Sequence, residues 1–243
     1  MKKRELYHLT EQIYAFPGDW SRLRPWLGII ITSEGTVLID SGNGTIQATE
    51  LKAKLQQLNA PPVTHILLTH HHWDHIFGNC LFPNAHVVAH EQTQYHLGVM
   101  SEEPWSEAYI ASKGQGHPVR EHIYRIMSDA IDDWELFHVI PAHETMQTEY
   151  ELTLGGYQFT MEHVGGTHEP DQCIIHVQPG NVLFLGDATY GRGPKKKWDR
   201  PALIEAMTGF LARNAEWYVE GHRTPATHER FGKRLERFVE GRL

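Results

Sequence analysis

The sequence predicts an α/β (α+β) fold, and three observations carry that reading. Short apolar runs at strand spacing are bounded by turn residues; an amphipathic stretch separates two of them; and strand alternation returns in the second half. A length of 243 residues is enough for one large core. No fixed-period repeat or low-complexity linker divides the chain, so residues 1–243 are expected to form a single domain.

Taken in order, "GIIIT" (28–32) and "TVLID" (36–40) flank "SEG" and read as a hairpin. "TIQATELKAKLQQL" (45–58) places Ile46, Leu51, Leu55 and Leu58 near helical spacing, and "APP" ends that helix. "VTHILL" (63–68) reads as a buried strand running into "THHHWDH" (69–75), and "FPNAHVVAH" (82–90) as a further strand. Residues 92–138 change texture: Trp105, Tyr109, Tyr124, Trp134 and Phe137 are scattered through polar, helix-compatible sequence. A helical insertion over the core is predicted there. "YELTLGGYQFTMEHV" (150–164) reads as a half-exposed hairpin, while "CIIHV" (173–177), "NVLFLGD" (181–187) and "EWYVEGH" (216–222) read as strands. Helices are predicted over 201–214 and 226–240. The sum is two similar β-rich halves with helices outside.

Composition narrows the function. Lys and Arg number 22 against 30 Asp and Glu, a net charge of -8, which argues against a nucleic-acid partner. The run Lys195–Lys197, with Arg192 just before it, reads as a solvated loop. No apolar segment of signal-peptide length follows the basic start, and no run approaches a membrane span, so a cytoplasmic protein is expected. Cys80 and Cys173 form no C-x-x-C pair and read as small buried apolar residues. The unusual number is 18 histidines.

Four of them, with one aspartate, fall within "THHHWDH". In extended chain alternate side chains point the same way, so His70 and His72 can share one target while His71 faces elsewhere. Asp74 and His75 follow where the chain should turn into a helix. Two imidazoles cannot complete a four-coordinate site, so further ligands must come from a distance. His168 in "EHVGGTHEPD", Asp187 ending "NVLFLGD" and His222 ending "EWYVEGH" each sit at the end of a strand. Repeated donors at strand ends point to one rim.

These segments resemble the metallo-β-lactamase-fold superfamily of metal-dependent hydrolases. "VLIDSG" is similar to its early strand, "THHHWDH" to its metal motif and "GGTH" to its third-histidine loop. "LFLGD" matches its bridging-aspartate strand and "VEGH" its last histidine. The resemblance implies a four-layer αββα sandwich with the site at one edge. It also implies that His70, His72 and His168 bind a first metal, that Asp74, His75 and His222 bind a second, and that Asp187 bridges them. Asp40 matches a buried aspartate that supports the site. The implied cofactor is two zinc ions, although a donor set without thiolate also tolerates iron or manganese.

The activity implied is hydrolysis, a hydroxide held between the ions attacking an electrophilic carbonyl or phosphorus. Asp74 would orient the nucleophile or shuttle a proton. Tyr190, in "DATY", resembles a tyrosine that contacts the substrate carbonyl in acyl-homoserine-lactone lactonases. The bridging carboxylate resembles the glyoxalase II-like and lactonase-like branches, so a small ester, lactone or thioester is the expected substrate. The alternatives are a phosphodiesterase or RNase Z-like nuclease, a β-lactam hydrolase, and a metal-binding module without turnover. "HEPDQC" departs from the family's H-T-P-G-S after the third histidine. A homodimer is left open.

Overall fold

The computed structural model describes residues 5–242. Seven strands make the first sheet, in the spatial order of the chain. They are β1 (Tyr7–Thr10), β2 (Ile13–Phe16), β3 (Leu27–Ile31), β4 (Thr36–Ile39), β5 (Val63–Leu67), β6 (His86–His90) and β7 (Glu144–Met146). The first four pair antiparallel; β4 through β7 are parallel. The second sheet holds β8 (Glu149–Leu154), β9 (Tyr157–His163), β10 (Cys173–Gln178), β11 (Val182–Gly186), β12 (Trp217–Glu220) and β13 (Ala226–Thr227). Its order is β13-β12-β11-β10-β9-β8. Helices α1 (Thr45–Gln57), α2 (Trp73–Ile76), α3 (Glu91–Ser101), α4 (Glu107–Gly114) and α5 (Pro118–Asp129) belong to the first half, α6 (Arg200–Ala212) and α7 (His228–Val239) to the second.

Three apolar clusters resolve these elements into four layers. Val37, Ile39, Leu67 and Val88 of the first sheet meet Phe159, Ile175, Phe184 and Val219 of the second. On the other face of the first sheet, Leu38, Ile66, Val87 and Ala89 pack with Leu51, Leu97, Ile110 and Met127 of its helices. Behind the second sheet, Leu183, Leu185 and Tyr218 pack with Leu203, Met207, Phe231 and Phe238 of α6 and α7. Strand β11 shows the cause in five residues. Its side chains alternate between faces, so Val182 and Phe184 enter the inter-sheet core while Leu183 and Leu185 meet the helices. Both faces are covered, and the strand is therefore a continuous apolar run. The arrangement is the αββα sandwich that the motifs implied.

Two of the shifts in element boundaries have a visible cause. The expected strand 82–90 keeps only His86–His90, because Asn79–Leu81 forms a short turn of helix and residues 82–85 carry the chain to the sheet. The helix expected from 226 begins at His228, since Ala226 and Thr227 pair with β12 first. Strands β1, β2 and β7 are additional. The insertion is helical as expected, in three pieces that begin at Glu91. Among the described residues no helix is long and apolar enough to cross a membrane.

Candidate metal centre

The ends of β4, β5, β11 and β12 and the turn between β9 and β10 converge on one edge of the sandwich. The Cys173 amide donates to the Thr69 carbonyl (2.7 Å), tying the two sheets together there. At the end of β4, Asp40 takes a left-handed conformation (φ 59°), which a short polar side chain tolerates. Its carboxylate accepts from the Thr69 amide (2.8 Å), the Thr69 hydroxyl (2.8 Å) and His75 Nδ1 (2.7 Å).

Those three bonds set the histidine tautomers. Having given its hydrogen to Asp40, the Thr69 hydroxyl can only accept from His70 Nδ1 (3.0 Å). His70 Nε2 therefore carries a lone pair, and so does His75 Nε2 whenever its ring is neutral. Both atoms are buried without a hydrogen-bond partner, as is Asp187 Oδ1. His72 repeats the scheme in reverse: Nε2 donates to Glu169 Oε1 (3.0 Å), leaving Nδ1 to face His168 Nε2 at 3.0 Å. Asp74 and His75 lie on the single turn of α2, whose first residue follows His72 directly.

Seven side chains thereby enclose one space. Donor atoms of His70, His72, His168 and Asp187 lie within 4.8 Å of one another, and so do those of Asp74, His75 and His222. Asp187 stands between the groups: Oδ2 is 3.2 Å from His168 Nε2 and 3.5 Å from His222 Nε2, and Oδ1 is 3.6 Å from His75 Nε2. His222 Nε2 is 3.1 Å and His75 Nε2 3.7 Å from Asp74 Oδ2. A tetrahedral site with ~2.0–2.1 Å metal–ligand bonds has edges of roughly 3.3 Å, so these spacings and the orphaned buried atoms fit divalent cations. Two glycines make the approach close enough. A side chain at Gly221 would strike Asp187 Oδ1, and one at Gly186, itself at φ 50°, would strike Thr69.

Burial and neighbouring charges oppose each other across these groups. Burial lowers His168 to about 4 and takes His70 well below the usual imidazole range. Burial also opposes charging His75 and His222, but it is outweighed. Asp40, Asp187 and Asp74 raise His75 to about 9, and Asp187 and Asp74 raise His222 to about 10. Burial likewise disfavours ionised Asp187, yet His222, His75 and His168 hold its carboxyl well below the carboxylate range.

Every metal-site position expected from the sequence reaches this cage, with Asp40 beneath it. Tyr190 lies beside it, its hydroxyl oxygen accepting the His222 amide (3.2 Å). His71 faces away, bonded to Asp171 Oδ2 (2.9 Å) and stacked on His96 at 3.9 Å. Arg192 turns to Glu169 (3.2 Å), and Lys195–Lys197 are exposed. Sequence reasoning missed Glu169 and Asp171, the buried acids of "HEPD" that bind His72 and His71. Their position within three residues of His168 was the available signal. It also missed Trp20, an exposed ring 5.1 Å from that of His222.

A carboxylate on the far nitrogen of a ligand imidazole fixes its tautomer and raises its basicity, commonly contributing 10–100-fold in metal affinity. Glu169→Ala should accordingly weaken zinc binding by roughly that factor in competition with a chromogenic chelator. Glu169→Gln, which keeps an acceptor oxygen, should retain most of it. Wild-type affinity in the alanine variant would remove Glu169 from the account.

A four-layer sandwich with a histidine–carboxylate cage at its edge defines the class: a metal-dependent hydrolase. Residues 24–228 match the family model described as "Metallo-beta-lactamase superfamily", and the chain belongs to that superfamily. Among curated proteins no sequence matches. Solved structures show the same fold at low identity. A metallo-beta-lactamase from Pontibacter korlensis superposes with TM-score 0.65 at 18% identity, covering 97% of this chain and 98% of that one. A metallo-beta-lactamase family protein from Thermus thermophilus gives 0.65 at 19%, over 96% of this chain and 81% of that one. The stereoselective inverting sec-alkylsulfatase Pisa1 from Pseudomonas sp. gives 0.68 at 18%, over 97% of this chain and 41% of that one.

Proposed function

We propose that the chain is a dinuclear, zinc-dependent hydrolase of small esters, lactones or thioesters, working on a small molecule in the cytoplasm. The observation that carries this reading is the position of Asp187, whose Oδ2 lies between His168 and His222 and whose Oδ1 faces His75, so that one carboxylate reaches both groups. His70, His72 and His168 would hold one cation, Asp74, His75 and His222 the other, and Asp187 both. Nitrogen and oxygen donors without thiolate suit zinc and also accept iron or manganese. When bound, the pair supplies a nucleophile at neutral pH by lowering the pKa of water, and polarises the oxygen that gains charge.

The chain's own groups arrange the rest. Asp74 is buried, and its carboxyl stays ionised: burial opposes this, but His75 and His222 outweigh it. An ionised carboxylate beside the reacting centre can take the proton of the attacking water and pass it to the leaving group. Burial pushes the Tyr190 phenol up, so it remains protonated and able to donate. Its oxygen is fixed by the His222 amide, and the guanidinium of Arg223 lies 4.9 Å from its ring centre. The remaining O–H is a donor for the developing oxyanion. Tyr190→Phe should lower kcat on lactones by up to about 10²-fold and raise KM less. An unchanged kcat would reduce Tyr190 to packing.

The net charge of -8 weighs against the nuclease reading, which needs a basic footprint. Cys80 and Cys173, both buried and free, suit a reducing compartment. The deciding experiment is a panel on zinc-loaded protein: an acyl lactone, a glutathione thioester, a phosphodiester, a β-lactam and a sec-alkyl sulfate. Cleavage of the lactone or thioester is expected; turnover confined to the last three would reassign the substrate, and silence across all five would favour a binding module.

A further inference from the structure

A cavity of about 270 Å³ opens directly beside the cage, between the heptad and the helices of the insertion. His71 and His72 form its inner wall. Trp73, Phe77, Met100, Trp105, Tyr124 and Met127 supply most of the rest. We propose that this cavity holds the apolar acyl chain of the substrate, so that esters, lactones or thioesters of medium-length acyl groups are preferred over acetyl ones. The assignment rests on the hydrolase reading above.

Three observations carry it. The first is continuity: His72 presents Nδ1 to the cage while its ring lines the cavity. A carbonyl held at the cage could therefore extend its chain past His72 into the helical insertion. The second is chemistry, because the polar atoms of two wall aromatics are already committed. The Trp105 indole N–H donates to the Met100 carbonyl (2.7 Å), and the Tyr109 hydroxyl donates to Glu103. Exposed Lys113 lies 4.6 Å from the centre of the Tyr109 ring. Glu103, Lys113 and the Tyr124 hydroxyl add polar groups to the lining, but Trp73, Phe77, Met100, Trp105 and Met127 leave a mainly apolar surface suited to hydrocarbon.

The third observation is rigidity. Trp73, Phe77, Trp105 and Tyr109 touch in sequence at centroid distances of 5.8, 5.1 and 5.7 Å, the last two edge to face. Phe77 is buried at 1% exposure and also packs on Phe137 at 4.8 Å. A wall locked this way is formed before the ligand arrives, so binding loses little to ordering the protein.

The test uses zinc-loaded protein and p-nitrophenyl esters of acetate, butyrate, hexanoate and octanoate. Wild-type kcat/KM should rise roughly threefold to fourfold per added methylene until the cavity is full. Met100→Trp, which fills the cavity, should cut the octanoate-to-acetate ratio of kcat/KM by more than about tenfold. Because that variant can fail to fold, octanoate binding to the wild-type chain is measured in parallel by tryptophan fluorescence, where saturable quenching is expected. A flat chain-length profile in an enzyme that does cleave the acetate ester would overturn the cavity assignment and leave the hydrolase reading intact. So would the absence of octanoate binding. No ester cleavage at all, with octanoate bound by the wild type and lost in folded Met100→Trp, would defeat the ester reading of the substrate while supporting the cavity's ligand class.

Discussion

Asp187→Ala is expected to lower kcat/KM on the preferred substrate by on the order of 10³-fold or more, about 4 kcal/mol of transition-state stabilisation. The reason is its double contact. One carboxylate faces His168 in the first group and His75 and His222 in the second, so on the proposed dinuclear reading its loss would remove a ligand from both cations at once. The variant should still fold, because the side chain lies at the sandwich edge, outside the three apolar clusters. Circular dichroism and thermal melting check that half of the expectation; steady-state kinetics and metal content check the other. Near-wild-type rates in a folded variant would refute the bridging role.

Stripping the cations with a chelator should take turnover to background, and zinc should restore it. Reloading carries a second signature. In the metal-free chain His75 and His222 hold protons at neutral pH, since neighbouring carboxylates raise them to about 9 and about 10 against the cost of burial. Both nitrogens would have to be deprotonated to bind metal, so loading at pH 7 should release at least about two protons per chain into weakly buffered solution, with any ionised metal-bound water adding to them. The sign of the pH dependence follows. These protons compete with metal at every pH below the raised values, so apparent affinity should fall as pH drops from about 10 toward 6. Zinc uptake without proton release would mean that the cations bind elsewhere.

How much of this was legible in the sequence depended on local chemistry. The heptad announced itself because His70 and His72 stand two residues apart at the end of an apolar strand, and alternation gives them a common direction. Asp187 and His222 were legible because each closes an apolar strand, and donors repeated at strand ends point to one rim. The layers followed from the strand pattern and the resemblance together. Strands β1 and β2 escaped notice: each spans four residues, and neither runs into a motif of the kind that marked β4 and β12. Strand β7 has three residues and one buried side chain.

Glu169 and Asp171 were illegible for a different reason. An acidic residue after a ligand histidine reads as solvated loop until the fold shows what lies opposite, and the distance from Glu169 to His72 is 97 residues along the chain. The aromatic insertion was visible as composition, but its use was not. Only the packing of α3, α4 and α5 turns Trp105, Tyr124 and Met127 into one wall beside His72.

Elemental analysis of protein prepared without chelators and reconstituted with zinc tests the metal cage most directly. The arrangement of His70, His72, Asp74, His75, His168, Asp187 and His222 calls for about two metal equivalents per chain, with the number reduced in Asp187→Ala. A wild-type chain that retains none after reconstitution would contradict it.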